Sequence, residues 1–246
     1  EIRTRITSVA STMQITSALK MVSAAKLKRA QDAITQMRPY AEKLREILVN
    51  ISSTLEGSAE GIYSQEREVN KVLIVAIASN RGLCGAFNAN IFKATENRIK
   101  EYAEKEVQIY AIGKRSADYF AGKHTVFNSN TEIFNNLNYE HVALMAQEVM
   151  DAFVQGEFDK VEIIYNEFKN AATQEVVTQQ FIPVSEDTEE VSVNANYIFE
   201  PSKASIVVDL IPKSLKIQFY KSLLDSHASE PVSYTHLRAH ETREDR

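Results

Sequence analysis

The sequence predicts an α/β protein with two parts: an open, mostly parallel sheet with helices on both faces, and a long antiparallel coiled coil of the N- and C-terminal helices. Three observations carry that prediction. The first 56 residues contain no glycine and hold an apolar heptad whose frame never shifts. Residues 70–200 alternate near-continuous apolar runs with helical stretches, the pattern of strands buried on both faces. Residues 201–230 then return to a helical apolar pattern, which makes them the natural partner for the first helix.

The heptad runs from Ile2, Ile6, Val9 and Met13 through Leu27, Ala30, Ile34, Met37 and Ala41 to Leu44, Leu48, Ile51 and Leu55. Steps of four and three residues sustained this long mark a coiled-coil helix. At 1.5 Å per residue, such a helix reaches roughly 80 Å, whereas a compact globule of this chain's length spans roughly 46 Å. The helix therefore protrudes as a rod. Pro39 lies off the apolar stripe, so a kinked but continuous helix is expected. Gly57, Ser58, Gly61 and Ser64 mark a hinge over residues 57–69 that ends the rod.

Mid-rod, the stripe positions Thr16, Lys20 and Ser23 are polar, while Ile15, Leu19 and Val22 are apolar one step earlier. Met21, Ala24 and Ala25 extend that second face, so the segment from Met13 to Ala25 is apolar over much of its circumference. Two readings fit: a locally wide core face of a larger bundle, or a surface enclosed by something else. Residues 1–55 carry nine Lys/Arg against four Asp/Glu, a net +5, in a chain whose total is −5. Lys20, Lys26, Lys28 and Arg29 cluster just after the apolar segment. A basic rod in an acidic protein suits nucleic acid or an acidic protein surface. Nucleic acid is disfavoured, since no aromatic residue appears before Tyr40 and the pI is near 5.7.

Beyond the hinge, Lys71–Ala78 reads as a buried strand, and the loop Ser79–Asn90 leads into a helix to about Ala103. Val107–Ile112 is the next strand and Lys114–Phe120 a short helix. Val126–Phe127 is a brief strand, Tyr139–Phe153 a longer helix and Lys160–Tyr165 a strand. Glu175–Val184 is a further strand, followed by an acidic turn at Glu186–Glu190. Pro201 opens the second helical region. Pro212 suits a first helical turn, after which Leu215, Phe219 and Leu223 run down one face, with Ile217, Tyr220 and Leu224 beside them. The seam of the coiled coil is accordingly expected to join Leu44, Leu48, Ile51 and Leu55 to Leu215, Phe219 and Leu223.

Sites for chemistry are scarce. The loop after the first strand holds Gly82 and Gly85 where a dinucleotide fingerprint would lie, but the G-x-G-x-x-G triplet is incomplete and no G-x-x-x-x-G-K-[ST] occurs. Cys84 has no histidine set by a recognisable motif beside it, and as the only cysteine it fits a reducing compartment. His236 and His240, near the C-terminus, have helical metal-ligand spacing. No catalytic, cofactor-binding or metal-binding residues are assigned. No segment is long and apolar enough for a transmembrane helix. An α/β dinucleotide-binding enzyme with a coiled-coil dimerisation arm remains the alternative.

The segments Ile2–Ile6, Ile15–Leu27, Pro39–Leu44, Ser79–Asn88 (SNRGLCGAFN) and Tyr220–Leu224 resemble the gamma subunit of bacterial F-type ATP synthase, over about residues 1–230. The resemblance implies a non-catalytic central rotor stalk at the cytoplasmic face of the bacterial inner membrane. The rod would turn inside the hexamer of alpha and beta subunits, and the body would sit with epsilon on the c-ring; no nucleic acid and no cofactor are implied. Met13, Ile15, Leu19, Lys20, Met21, Val22, Lys26, Lys28, Arg29 and Arg81 would then face the hexamer. From Pro231 the chain departs from the family and resembles translated adapter sequence. The partner helix is therefore expected to stop there, leaving 231–246 as a foreign tail.

Overall fold

The computed structural model describes residues 2–52, 62–64, 67–82, 84–170, 173–184 and 203–244. The expected α/β architecture is present. Helix α1 spans Ile2–Ser52, and the body then runs β1 (Lys71–Ile77), α2 (Phe87–Glu101), β2 (Glu106–Ile112), α3 (Lys114–Phe120), β3 (Val126–Asn130), α4 (Tyr139–Val154), β4 (Lys160–Phe168) and β5 (Gln174–Ile182). Helix α5 (Lys203–Glu244) closes the chain. The sheet order is β3-β2-β1-β4-β5, parallel throughout except that β5 runs antiparallel to β4.

Alternation along the strands divides the core. Val72, Ile74 and Ala76 of β1, with Ile109, Ala111 and Ile164, pack under Ile91 of α2 and Phe120 of α3. Leu73, Val75, Ile77, Ile112, Ile163 and Tyr165 face the other way, onto α4 and α5. Helix α4 starts cleanly because the Asn138 side chain accepts the His141 N–H at 2.9 Å. Gly113 joins β2 to α3 at φ 90°, and a Cβ there would stand 2.1 Å from the Ala78 carbonyl oxygen. Only glycine fits.

One polar cluster is buried on the α2 side. Arg98 donates to both carboxylate oxygens of Glu162 at 2.6 Å, Tyr102 donates at 2.8 Å, and Lys160 Nζ lies 3.2 Å away. Burial alone would raise the Glu162 carboxyl. Hydrogen bonds from Arg98 and Tyr102 and the two cationic charges outweigh it and hold that carboxyl below the usual range.

Two expectations for the terminal helices need correction. Helix α5 begins at Lys203 and carries Pro212 nine residues inside it, and it continues through Pro231 to Glu244. Each proline removes one backbone hydrogen bond, but both sit in a segment whose neighbours are packed: Ile211 and Leu215 near one, Ala228 and Val232 near the other. The seam also differs from expectation. Leu215, Phe219 and Leu223 are buried against the sheet and α4. Contact with α1 comes from Leu224, Ala228 and Val232, which cluster with Ala30 and Ile34 and with the flanking Leu27, Met37 and Tyr220. The reason is that α5 lies between the sheet and α1 and needs two apolar stripes, of which the stronger one serves the sheet.

The pairing of α1 and α5 is antiparallel. Ala30 and Ile34 meet the far part of α5, while the Tyr220 ring lies 5.8 Å from Tyr139, beside Tyr40. Burial and, less strongly, the nearby Tyr40 push the Tyr139 phenol up. Leu44 is buried. Leu48 and Ile51 lie on α1 with side chains outside the described set; Leu55, the glycines of the hinge and the acidic turn lie outside the described residues altogether. Pro39 sits within α1, which is continuous across it.

Candidate functional site

Surface apolarity on α1 changes sharply along its length. Ala30, Ile34 and Leu44 are buried, whereas Ile2, Ile6, Val9 and Met13, at the same heptad positions, are 78, 63, 42 and 56% exposed. Together with Ala10 and the stem of Arg5, these four residues form a continuous apolar face on one side of α1. Met21, on the second apolar face, is 70% exposed. A row of exposed large apolar side chains marks a surface meant to be covered. Of the remaining rod residues singled out from the sequence, Lys28 and Arg29 are exposed, and Ile15, Leu19, Lys20, Val22 and Lys26 lie on α1 with side chains outside the described set.

Arg81 is presented by a loop that the sequence builds with care. Ser79 Oγ donates to the Arg81 carbonyl at 2.5 Å, and Asn88 Nδ2 donates to the same oxygen at 3.2 Å. Asn88 Oδ1 in turn accepts the Ser79 N–H at 3.0 Å, and its amide nitrogen lies 3.0 Å from Cys84 Sγ. Ser79, Cys84 and Asn88 are buried, while the Arg81 side chain points to solvent. Asn80 ties the loop to its neighbours by donating to the Thr131 carbonyl and accepting the Lys114 N–H, both at 2.8 Å. The sequence motif around Gly82 and Gly85 is thus folded as a rigid pedestal for one exposed guanidinium. Gly85 takes φ 58°, the left-handed turn that starts α2.

In parallel sheets of this topology, ligands bind at the carboxyl ends of the strands where the order reverses, here β1 and β4. That crevice is filled by α5: Ser229 Oγ donates to the Asn166 carbonyl at 3.2 Å, and Asn166 Nδ2 reaches the Phe87 carbonyl at 3.4 Å. Sequence reasoning missed this contact. The run Ser222, Asp225, Ser226, Ser229 on one face of a predicted coiled-coil helix was the available signal.

The chain's resemblances agree with a rod-bearing part. A model of the ATP synthase family matches residues 1–235. The chain is 60% identical over 231 residues to the ATP synthase gamma chain of Flavobacterium johnsoniae, covering 94% of this chain and 81% of that one. It is 49% identical to the gamma chain of Cytophaga hutchinsonii, with the same coverage. In fold, it resembles the central stalk and c-ring structure of Tetrahymena thermophila mitochondrial ATP synthase, with a TM-score of 0.70, 23% identity, and coverage of 93% of this chain and 99% of that one. The rotor of the Euglena gracilis enzyme matches with a TM-score of 0.65 and 17% identity, over 98% of this chain and 90% of that one. Among the described residues, no helix is long and apolar enough to cross a membrane. The chain belongs to the gamma chain family of the ATP synthases.

Proposed function

We propose that this chain is the central stalk of an F-type ATP synthase and carries rotation between a membrane ring and the catalytic subunits without performing chemistry itself. The observation that carries the reading is the exposed apolar end of α1, in a chain 60% identical to a gamma chain. Ile2, Ile6, Val9, Met13 and Met21 gain a cover when the rod enters a ring of alpha and beta subunits. Ile15, Leu19 and Val22 extend the same bearing, and Lys20, Lys26, Lys28, Arg29 and Arg81 meet acidic loops of the beta subunits. The body, with epsilon, rests on the c-ring at the cytoplasmic face of the inner membrane.

In this mechanism the rod acts by shape. Three otherwise equivalent catalytic sites meet three different faces of one asymmetric helix pair, and each site adopts the conformation its face favours. Torque reaches the body through α5, which is packed on the sheet by Leu215, Phe219 and Leu223 and on α1 by Leu224 and Ala228.

Co-expression with alpha and beta subunits tests the reading. The expected product is a complex holding one copy of this chain, with ATP hydrolysis absent from the chain alone. Turnover by the isolated chain, lost on mutating it, would overturn the non-catalytic role. Micromolar binding of NAD(P) or ATP at Arg81–Cys84 would favour an enzyme instead.

A further inference from the structure

From Ser214 to Ser233, no residue of α5 is exposed. A helix hidden on one face needs one partner, but a helix hidden all round must be enclosed. The contacts from Tyr220 to Ser233 show what encloses it.

One side is held by the segment that leads from β3 into α4. The Phe134 ring stacks on the His227 imidazole at 5.6 Å and 13°, and the Tyr139 ring meets Tyr220 edge-on at 5.8 Å. Leu137 packs against both the sheet-side core and the cluster shared by α5 and α1. Another side is held by the end of β4 and the start of β5. Ser229 Oγ donates to the Asn166 carbonyl at 3.2 Å, and Gln174 Nε2 donates to Ser233 Oγ. Phe168, 7% exposed, is buried with Leu224, Ala228 and Val232 and with Ala30 and Ile34 of α1.

Helical geometry sets these two holds against each other. Tyr220 and His227 are seven residues apart and share a side of α5, whereas Ser229 is nine residues from Tyr220, about half a turn round. Ser233 is six residues from His227, about a third of a turn away from it. Leu215, Phe219 and Leu223 fix the helix to the sheet. Contacts on a single side would let a helix roll. Close-packed contacts on opposing sides resist rolling in either direction.

We propose that the body grips the rod in a two-jawed collar, with Phe134 and Leu137 in one jaw and Phe168 in the other, and that these three residues position the rod at one fixed angle to the body. The collar is then the joint through which body and rod turn as one piece. That consequence rests on the stalk reading, whereas the collar itself is tested on the chain alone.

Spin labels are attached to the full chain through Leu144→Cys on the body and Arg29→Cys on the rod, both exposed positions. The single native cysteine, Cys84, is shielded at 2% exposure. Pulsed electron resonance then reads the distribution of distances between the labels. A collar predicts one narrow distribution. Phe134→Leu and Phe168→Leu, one in each jaw, should each widen it about twofold by loosening the local packing. Phe120→Leu makes the same chemical change on the opposite face of the sheet. It should lower the urea midpoint and leave the width unchanged. The proposal is overturned if the labelled parent chain already gives a broad distribution, if either jaw variant keeps the parent's width, or if Phe120→Leu widens it as much. Failure of the stalk reading would show instead as no complex with alpha and beta subunits, and the measured widths would still decide the collar.

Discussion

Ile6 and Ile34 occupy equivalent heptad positions on one helix, yet Ile6 is 63% exposed and Ile34 only 3%. Nothing in their local sequence separates them, since both have helical neighbours and both continue the same stripe. The difference lies in what each can reach. Ile34 meets Leu224 and Ala228 of α5, while Ile6 and its heptad neighbours Ile2, Val9 and Met13 are exposed among the described residues. Local pattern thus specifies a face that wants burial, but only topology decides whether the chain itself supplies the cover. A stripe with no cover is where a second protein is to be sought.

The body offers the largest effect by which to sharpen that comparison. Glu162→Ala would leave Arg98 and Lys160 facing an empty buried position, and removing one partner of a buried ionic cluster costs about 3–5 kcal/mol. Urea unfolding of wild type and variant checks this. Glu101, also bonded to Arg98 but with its side chain 58% exposed, provides the contrast: Glu101→Ala should cost about 0.2–1 kcal/mol. Because the Glu162 carboxyl is held below its unfolded value, its contribution is fully present above the unfolded carboxyl pKa, about 4.3. It is lost as pH falls through the folded value. The stability gap between wild type and Glu162→Gln should therefore be constant from pH 7 to about pH 5 and close below that. A gap that persists unchanged at pH 3 would contradict the assignment.

Along the rod, Ile34→Ala should destabilise the isolated chain by about 2–4 kcal/mol, the range for a buried aliphatic truncation. Ile6→Ala should stay within about 0.5 kcal/mol, as for surface substitutions. Equal losses at the two positions would mean that the N-terminal turns are covered after all. Hydrogen exchange offers the same comparison without mutation. Amides of Ile2–Met13 should exchange near the rate of a frayed helix, and those of Leu27–Leu44 should be slowed by the pairing with α5. Protection of equal depth in both stretches would show that another element covers the seam.

The expected smallest effect on the isolated chain concerns charge. Reversing Lys28 and Arg29 to Glu, on exposed turns of α1, should leave the unfolding midpoint almost unmoved. It should weaken assembly with alpha and beta subunits by about 0.2–1 kcal/mol per pair, read as a shift in the salt concentration at which the complex dissociates. Undiminished assembly at every salt concentration would remove the electrostatic part of the account.

Much of this arrangement was legible in the sequence. The unbroken apolar runs Lys71–Ile77, Val107–Ile112 and Lys160–Tyr165 announced the parallel core because helices on both faces leave no polar alternation. The glycine-free heptad announced the rod. Helix α5 was harder. Leu215, Phe219 and Leu223 form its strongest stripe, and periodicity reports that a stripe is buried without naming the surface that buries it. Pro212 and Pro231 read as boundaries because proline disfavours a helix interior by about 3 kcal/mol, and a count of local penalties cannot include the packing of Leu215 and Val232 on either side. The pedestal under Arg81 was visible as a motif, but its bonds join residues 79, 81, 84 and 88 to positions 114 and 131, and no local rule links them.

The central claim is that the exposed apolar end of α1 is a surface for the alpha and beta subunits. A photo-crosslinking residue at Met21, 70% exposed on the rod, tests it against the same residue at Leu144, also 70% exposed but on the body. Both variants would be co-expressed with alpha and beta subunits and irradiated after purification. The account predicts adducts from position 21 to alpha or beta and none from position 144. Contradiction would come from a complex that forms normally while position 21 yields no such adduct, or yields only adducts with a second copy of this chain.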